Sequence, residues 1–385
     1  MKVLIVGDSC GALEATRELA KAGWTVGIGS ESRFGWASAS RWTSQWHNIP
    51  PPLGDPMEFI DEINRVATAH DYKLVFGAGD AEVLALSASR HSLVPHFPYT
   101  AHPFVLSVFD KLSLAEMATK AGLRAPATYP ADRVPLSDSA FPMIVKARLH
   151  WSPGNRNQKT RVRTSVVHGH DEAVRQIQVM RSVGAEPMLQ EFIPGHVETF
   201  VAVTAGTGKI LSKHMQRTTR EHGSESGISA RATSVPIPDD FARQVQDLLT
   251  NINWFGLASI QFIKPESGAP ALIDFNGRMY GSLVFANACG MRAMENWAGL
   301  ATGKDPAPTQ ELLGLRYQAL EGDLRYIKKL RGWDRIAELT ACLAAVGRSV
   351  HPILSWSDPK PTVHYLRRLR LRLAGQKLRA YEMTA

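Results

Sequence analysis

Cysteine is scarce in this chain: Cys10, Cys289 and Cys342 are the only three in 385 residues, far apart and in no CxxC pair. That pattern disfavours both a disulfide framework and a thiolate metal site, so buried thiols are expected. No apolar run approaches the roughly 20 residues a membrane-spanning helix requires. The opening MKVLIVGDSCG has no small-residue cleavage site and is not read as a signal peptide, so a cytoplasmic protein is expected. The full GxGxxG fingerprint is absent from the first glycine turn, which holds only Gly7 and Gly11, although Glu31 falls where a ribose-binding acid could follow a second strand. The GTGK at Gly206–Lys209 is not a phosphate loop, because Val203 stands at its first glycine position and Ile210 follows the lysine; a hairpin turn is expected instead. His168, His170, His214 and His222 show no HExxH spacing.

What is present is globular: 44% hydrophobic and 21% charged residues, with a length suited to two or three domains. The net charge of +8 is uneven. From Lys360 onward, Lys360, Arg367, Arg368, Arg370, Arg372, Lys377 and Arg379 stand against Glu382 alone. Such a run suits an anionic membrane surface, an acidic partner or nucleic acid, but is more often a solvated helix face. Leu366, Leu369 and Leu373 fit one helical stripe.

Along the chain, Lys2–Gly7 reads as a buried strand, Leu13–Ala22 as a helix, Trp24–Ser30 and Lys73–Phe76 as further strands, a small doubly wound unit over residues 1–105. The Trp-, Ser- and Pro-rich FGWASASRWTSQWHNIPPPLGDP is expected to be a loop beside a cleft. A helix starts at Asp110-Lys111. The strand Phe141–Ala147 leads to RLHWSPGNRNQKTRVR, whose Arg148, His150, Arg156, Lys159, Arg161 and Arg163 suit a loop over phosphates or a solvated hairpin. Residues 106–185 and 186–308 are read as two lobes, and 309–385 as a helical basic region.

The hairpin SIQFIKPESGAPALIDFNGR carries the main cluster. Alternate strand residues share a face, so Asp274, Asn276 and Arg278 point one way, and Gln261 on the preceding strand lies beside Asp274 or Asn276. A solvated edge strand would look similar. Three other features accompany it: the lysines Lys111 in FDKLSLAEM and Lys146 in IVKAR, the segment LQEFIPGHVE with Glu191 and Glu198, and KHMQRTTREHGSESGIS with Arg217 and Arg220.

In order and spacing these motifs resemble the ATP-grasp superfamily over most of residues 1 to 300, and within it carboxylate-amine ligases and carbamoyl-phosphate-synthase-like members. The resemblance implies an α/β chain: a Rossmann-like domain, a two-lobed α+β ATP-grasp domain and a helical C-terminal extension. It implies that Lys111 and Lys146 meet nucleotide phosphates, Glu191, Phe192 and Ile193 contact adenine, and Glu198 meets the ribose. Gln261, Asp274 and Asn276 would hold magnesium, and Arg278, with Arg217 and Arg220, would act on the transferred phosphoryl or substrate. Asp274 is shorter than the family's usual glutamate and Gln261 is uncharged, which leaves one or two Mg2+ ions, with Mn2+ an alternative.

The activity so implied is ADP-forming: ATP turns a carboxylate into an acyl phosphate, which an amine attacks. Such chemistry needs positioning and neutralisation rather than a nucleophilic Ser or Cys. The expected partners are a small carboxylate and an amine, selected by the first domain and loops, where Arg41, Trp42, Asp80 and residues 217–229 are candidates. Nucleic acid is not expected; peripheral membrane contact through residues 360–380 and a homo-oligomer are compatible. Two rival readings are a nicotinamide-dependent oxidoreductase built on residues 1–35 and a non-catalytic scaffold that binds a membrane or polyanion through its basic tail.

Overall fold

The computed structural model describes residues 1–53, 55–134, 137–151, 164–221 and 229–373. The buried apolar run β1 (Lys2–Val6) ends at Gly7, whose φ of +94° suits glycine, and Ser9 caps α1 (Cys10–Lys21) by accepting the Ala12 amide. Then follow β2 (Thr25–Ser30), β3 (Thr43–Asn48), α2 (Pro56–His70), β4 (Leu74–Gly77) and α3 (Asp80–Ala88). The four strands form one parallel sheet in the order β3-β2-β1-β4. Strand β3 corrects the expected loop: TSQWHN lies on the sheet edge, half exposed, so it has no need of the apolar run that marks a buried strand. Gly11 is a packing glycine, since a Cβ there would come within 2.8 Å of the Tyr280 backbone.

Helices α4 (His102–Phe109) and α5 (Lys111–Lys120) lead to the first lobe. There β5 (Thr128–Pro130), β6 (Met143–Ala147), β7 (Ser165–Val167), α6 (His170–Ser182) and β8 (Pro187–Glu191) build an antiparallel sheet, β5-β8-β6-β7. The second lobe contains β9 (His196–Thr204), β10 (Ile210–Glu221), β11 (Ser229–Ser234), α7 (Asp239–Asn251), β12 (Gly256–Lys264), β13 (Ala271–Asn276), α8 (Leu283–Ala288) and α9 (Ala293–Leu300). GTGK closes the β9–β10 hairpin, where the Gly208 amide donates to the Ala205 carbonyl. One face of this sheet packs Phe200 and Phe262 against Phe241 of α7; helix α9 lies against β9 and β12 and buries Trp297.

The C-terminal region is less purely helical than its sequence suggests. Strand β14 (Arg316–Gln318) pairs with β11 and completes the six-stranded sheet β13-β12-β9-β10-β11-β14, before α10 (Leu320–Lys329), α11 (Gly332–Val346) and α12 (Pro359–Leu373). Asp323, wholly buried, accepts from Arg220 Nη1, Arg231 Nε and Gln318 Nε2, each at 2.6 Å. Asp358, also wholly buried, ties the region to the first domain by accepting from Arg17 Nε at 2.9 Å, Ser40 Oγ at 2.7 Å and the Arg41 amide at 3.0 Å. On α12 the expected leucine stripe is divided. Leu369 is buried with Tyr365, whose ring lies 6.0 Å from Trp36; Leu366 is exposed, and Arg368 is buried against the Trp36 face. Lys377, Arg379 and Glu382 lie outside the described residues.

All three cysteines are free: Cys289 and Cys342 are buried, and Cys10 is half-buried. Among the described residues no helix is long and apolar enough to cross a membrane.

Removing Asp358 strands the Arg17 guanidinium without its carboxylate, so Asp358→Ala is expected to cost about 3–5 kcal/mol of stability, read from chemical denaturation. His214 is buried and neither ring nitrogen has a hydrogen-bond partner among the described residues, and burial pushes its pKa down to about 4. The unfolded chain therefore binds the proton first, and stability contributed by neutral His214 is lost as pH falls from about 6.5 towards 4. His214→Leu should remove up to about 3 kcal/mol of this pH dependence, checked by denaturation at pH values across that window.

Candidate functional site

Between the two lobes lies a cavity of about 280 Å³, and its lining draws on both sheets. The first lobe contributes Lys111, at the start of α5, and Lys146 of β6, both buried. The second contributes Gln261 of β12 and Asp274 of β13, which stand directly opposite in the ladder; the sequence left Asp274 and Asn276 both open as partners of Gln261. Lys111 Nζ approaches Asp274 Oδ1 to 3.5 Å, and Lys146 Nζ donates to the Ile273 carbonyl at 2.9 Å. Glu191, the last residue of β8, and Phe192 and Ile193 on the chain joining β8 to β9 also line the cavity. Glu191 turns its carboxylate to the Ala127 amide at 3.0 Å, which leaves backbone and the Phe192 and Ile193 side chains facing the space.

Lys111 is held in place by its neighbours. Asp110 caps α5 by accepting the Leu112 amide, and Arg148 grips the same carboxylate with Nε at 2.8 Å and Nη2 at 2.6 Å. Arg148, expected in a phosphate loop, is thus a clamp on the helix start; Arg156, Lys159, Arg161 and Arg163 lie outside the described residues. Gly277 lets the strand end pass close to Trp254, since a Cβ there would be 2.4 Å from the indole.

Five predicted site residues are not among those lining the cavity: Asn276 and Arg278, just beyond it at the end of β13, and Glu198, Arg217 and Arg220. Strand side chains alternate, and Val197 lines the space while Glu198 lies on the opposite face, opposite Phe262. Glu198 accepts from Arg217 Nε at 2.9 Å and contacts His196 at 3.2 Å, so its expected reach to a ribose is not met. Arg220 spends its guanidinium on Asp323 and Glu338 and stacks 4.3 Å over Tyr326. Residues 222–228 of the candidate substrate loop lie outside the described residues.

Arg278 is largely but not fully buried and is anchored from the first domain. Asp80, the first residue of α3, accepts from Arg278 Nε at 2.5 Å and contacts His150 Nδ1 at 2.8 Å, and Arg278 Nη2 also donates to Asn276 Oδ1 at 3.0 Å. Burial alone would raise the Asp80 pKa, but Arg278 and His150 outweigh it and hold the carboxyl well below its usual range. His150 itself is lowered, by burial and then by Lys111. Sequence reading had named Asp80 only as a substrate candidate; no spacing rule joins it to Arg278.

Among the described residues no group of three or more His, Cys, Asp and Glu gathers as a metal cluster. Asp274 and the amide oxygens of Gln261 and Asn276 are all hard oxygen donors, and one carboxylate with two amides fits a magnesium ion whose other ligands come from phosphate. In this arrangement the Asn276 oxygen is bonded to Arg278 and its amide donates to Asp274 at 3.4 Å. A larger depression of about 610 Å³ beside β10 and α7 contains none of these residues.

No family model and no curated protein matches the chain. Solved structures do. N5-carboxyaminoimidazole synthetase from Staphylococcus aureus complexed with ADP is 12% identical, with 83% of each chain covered and a TM-score of 0.63. The biotin carboxylase domain dimer of Hydrogenobacter thermophilus 2-oxoglutarate carboxylase, with MgADP, ADP and bicarbonate, is 14% identical over 82% of this chain and 73% of that one, at a TM-score of 0.60. L-amino acid ligase from Bacillus licheniformis is 15% identical over 80% and 74%, at 0.58. The shared feature is the ATP-grasp fold, with the Rossmann-like domain ahead of the two lobes.

The Asp80 to Arg278 pair invites a double-mutant cycle. Asp80→Asn leaves a buried guanidinium short of its counter-charge and should lose about 3 kcal/mol, whereas Asp80→Asn/Arg278→Met should recover most of it; thermal denaturation of the four proteins measures the coupling.

Proposed function

We propose that the chain is an ATP- and Mg2+-dependent ligase that activates a carboxylate as an acyl phosphate and releases ADP and phosphate as an amine or similar nucleophile attacks. The observation that supports it best is the meeting of Lys111 and Lys146 from one lobe with Gln261 and Asp274 from the other in a single cavity. Two cations facing a carboxylate and neutral oxygen donors suit a polyphosphate and its metal better than a neutral ligand. The apolar Phe192 and Ile193 in the same lining suit a flat base. ADP and MgADP are present in the similar structures named above, which favours the same reading.

In this reading Lys111 and Lys146 neutralise the phosphates, and Asp274 with Asn276 and Gln261 would hold magnesium. When bound, that ion would draw charge from the transferring phosphoryl group. Arg278, oriented by Asp80, would face the acyl phosphate. The buried, low-dielectric setting strengthens each of these charges. Glu198, Arg217 and Arg220 take structural parts and have no place in the transfer. The nicotinamide reading finds no support in the glycine turn, where Gly11 packs against Tyr280.

A screen of amino acids and other carboxylates against amines for ATP-dependent phosphate release tests the proposal. ADP should form only when both substrates are present, and Arg278→Ala or Asp274→Ala should lower turnover by about 100-fold or more. AMP and pyrophosphate as products would overturn it.

A further inference from the structure

A surface helix ordinarily turns its apolar stripe to the protein. Helix α11 does the opposite. Its inner side carries Glu338, whose carboxylate accepts from Arg220 Nη2 at 2.6 Å, and Cys342, wholly buried, whose carbonyl accepts from Gln318 at 3.2 Å. At 100° per residue, Trp333, Ile336, Leu339 and Leu343 fall within an arc of about 120° on the other side. They are 83, 56, 41 and 64% exposed. The inversion is specified by the sequence: an acid is turned inward to satisfy Arg220, and that commits the leucines and tryptophan to the outside. A second tryptophan, Trp356, is fully exposed shortly beyond His351, whose imidazole contacts the carbonyl of Val346, the last residue of α11.

The charge around this face is mostly positive, with Asp334 the one exposed acid of residues 328–348. Lys328, Lys329, Arg331, Arg335 and Arg348 are all exposed and none has an ion-pair partner among the described residues. Of the two acids in the same stretch, Glu338 is committed to Arg220. We infer that α11 and its flanking cations dock on an anionic lipid surface, with Trp333, Ile336, Leu339 and Leu343 entering the headgroup boundary. Three features favour this occupant. A two-fold contact with a second copy would set these cations against their own duplicates. The apolar residues stand on one convex helix rather than in a groove, which suits a fluid interface more than a folded peptide. The basic run of the C-terminal helix adds Lys360, Arg367 and Arg370, exposed, to the same electrostatic attraction. The inference is independent of the ligase reading.

The test uses the full chain and vesicles of phosphatidylcholine, with and without about a quarter phosphatidylglycerol. Sedimentation should carry the protein with the anionic vesicles only, and raised salt should release it. Trp333→Ala/Leu343→Ala should weaken binding about tenfold or more, and Lys328→Ala and Lys329→Ala by roughly fivefold each. Because all four side chains are exposed, melting temperature should be unchanged, which separates lost docking from lost folding. Equal binding to both vesicles, or none to either, overturns the inference. So does a dimer in sedimentation velocity that Leu343→Glu dissociates, since the face would then belong to a second copy.

Discussion

The largely buried ion pair between Asp80 and Arg278 is the constraint on which the site's geometry rests. Arg278 sits just past β13, at the end of the strand that carries Asp274 and Asn276, while Asp80 opens α3 in a different domain. A guanidinium taken out of water is tolerated only with a well-placed counter-charge, so the pair fixes where the first domain stands against the second lobe. The start of α3 is a favourable place for a carboxylate, because the helix presents unpaired amides and positive partial charge there. His150 meets the same carboxylate. One acid therefore sets the position of an arginine just past β13 and a histidine on the cavity wall.

Much of the frame was legible because it obeys simple periods. The alternation in LIDFNGR put Asp274, Asn276 and Arg278 on one face, and the ladder pairs Gln261 with Asp274 as a hairpin demands. Lys111 was findable because Asp110 is a strong helix cap. The same period of two explains the miss at Glu198: a carboxylate one position off the cavity-facing register belongs to the other side of the sheet, and nothing in HVETF announces which parity faces in. Strand β3 escaped notice because a polar edge strand has no hydrophobic signature.

Long-range polar pairs were the least legible. Arg220 and Asp323, or Arg17 and Asp358, are separated by hundreds of residues in part, and their partnership exists only once the sheets are assembled. A basic residue in a loop-like segment looks the same in sequence whether it awaits phosphate or a buried aspartate. Arg148 shows the ambiguity within one segment: it stood in a stretch suited to phosphates, and it serves instead to lock the start of α5 under Lys111.

These pairs also divide the arginines into two populations with different physical work. Arg17, Arg148, Arg220, Arg231 and Arg278 are paired with acids, and the aspartates that hold them are themselves largely or wholly buried. They join elements, and their charge is neutralised locally. The cations that remain uncompensated are therefore not a random share of the total. They concentrate from α10 onward, where Asp323, Glu338 and Asp358 are already consumed by internal arginines. The net charge of +8 is set by composition, but its placement is a product of folding: acids of the C-terminal region are turned inward to bind arginines of the lobe and the first domain, and the surface outside is left basic. The apolar outer face of α11 follows from the same cause, since the helix can satisfy Arg220 with Glu338 only by presenting Trp333, Ile336 and Leu343 to solvent.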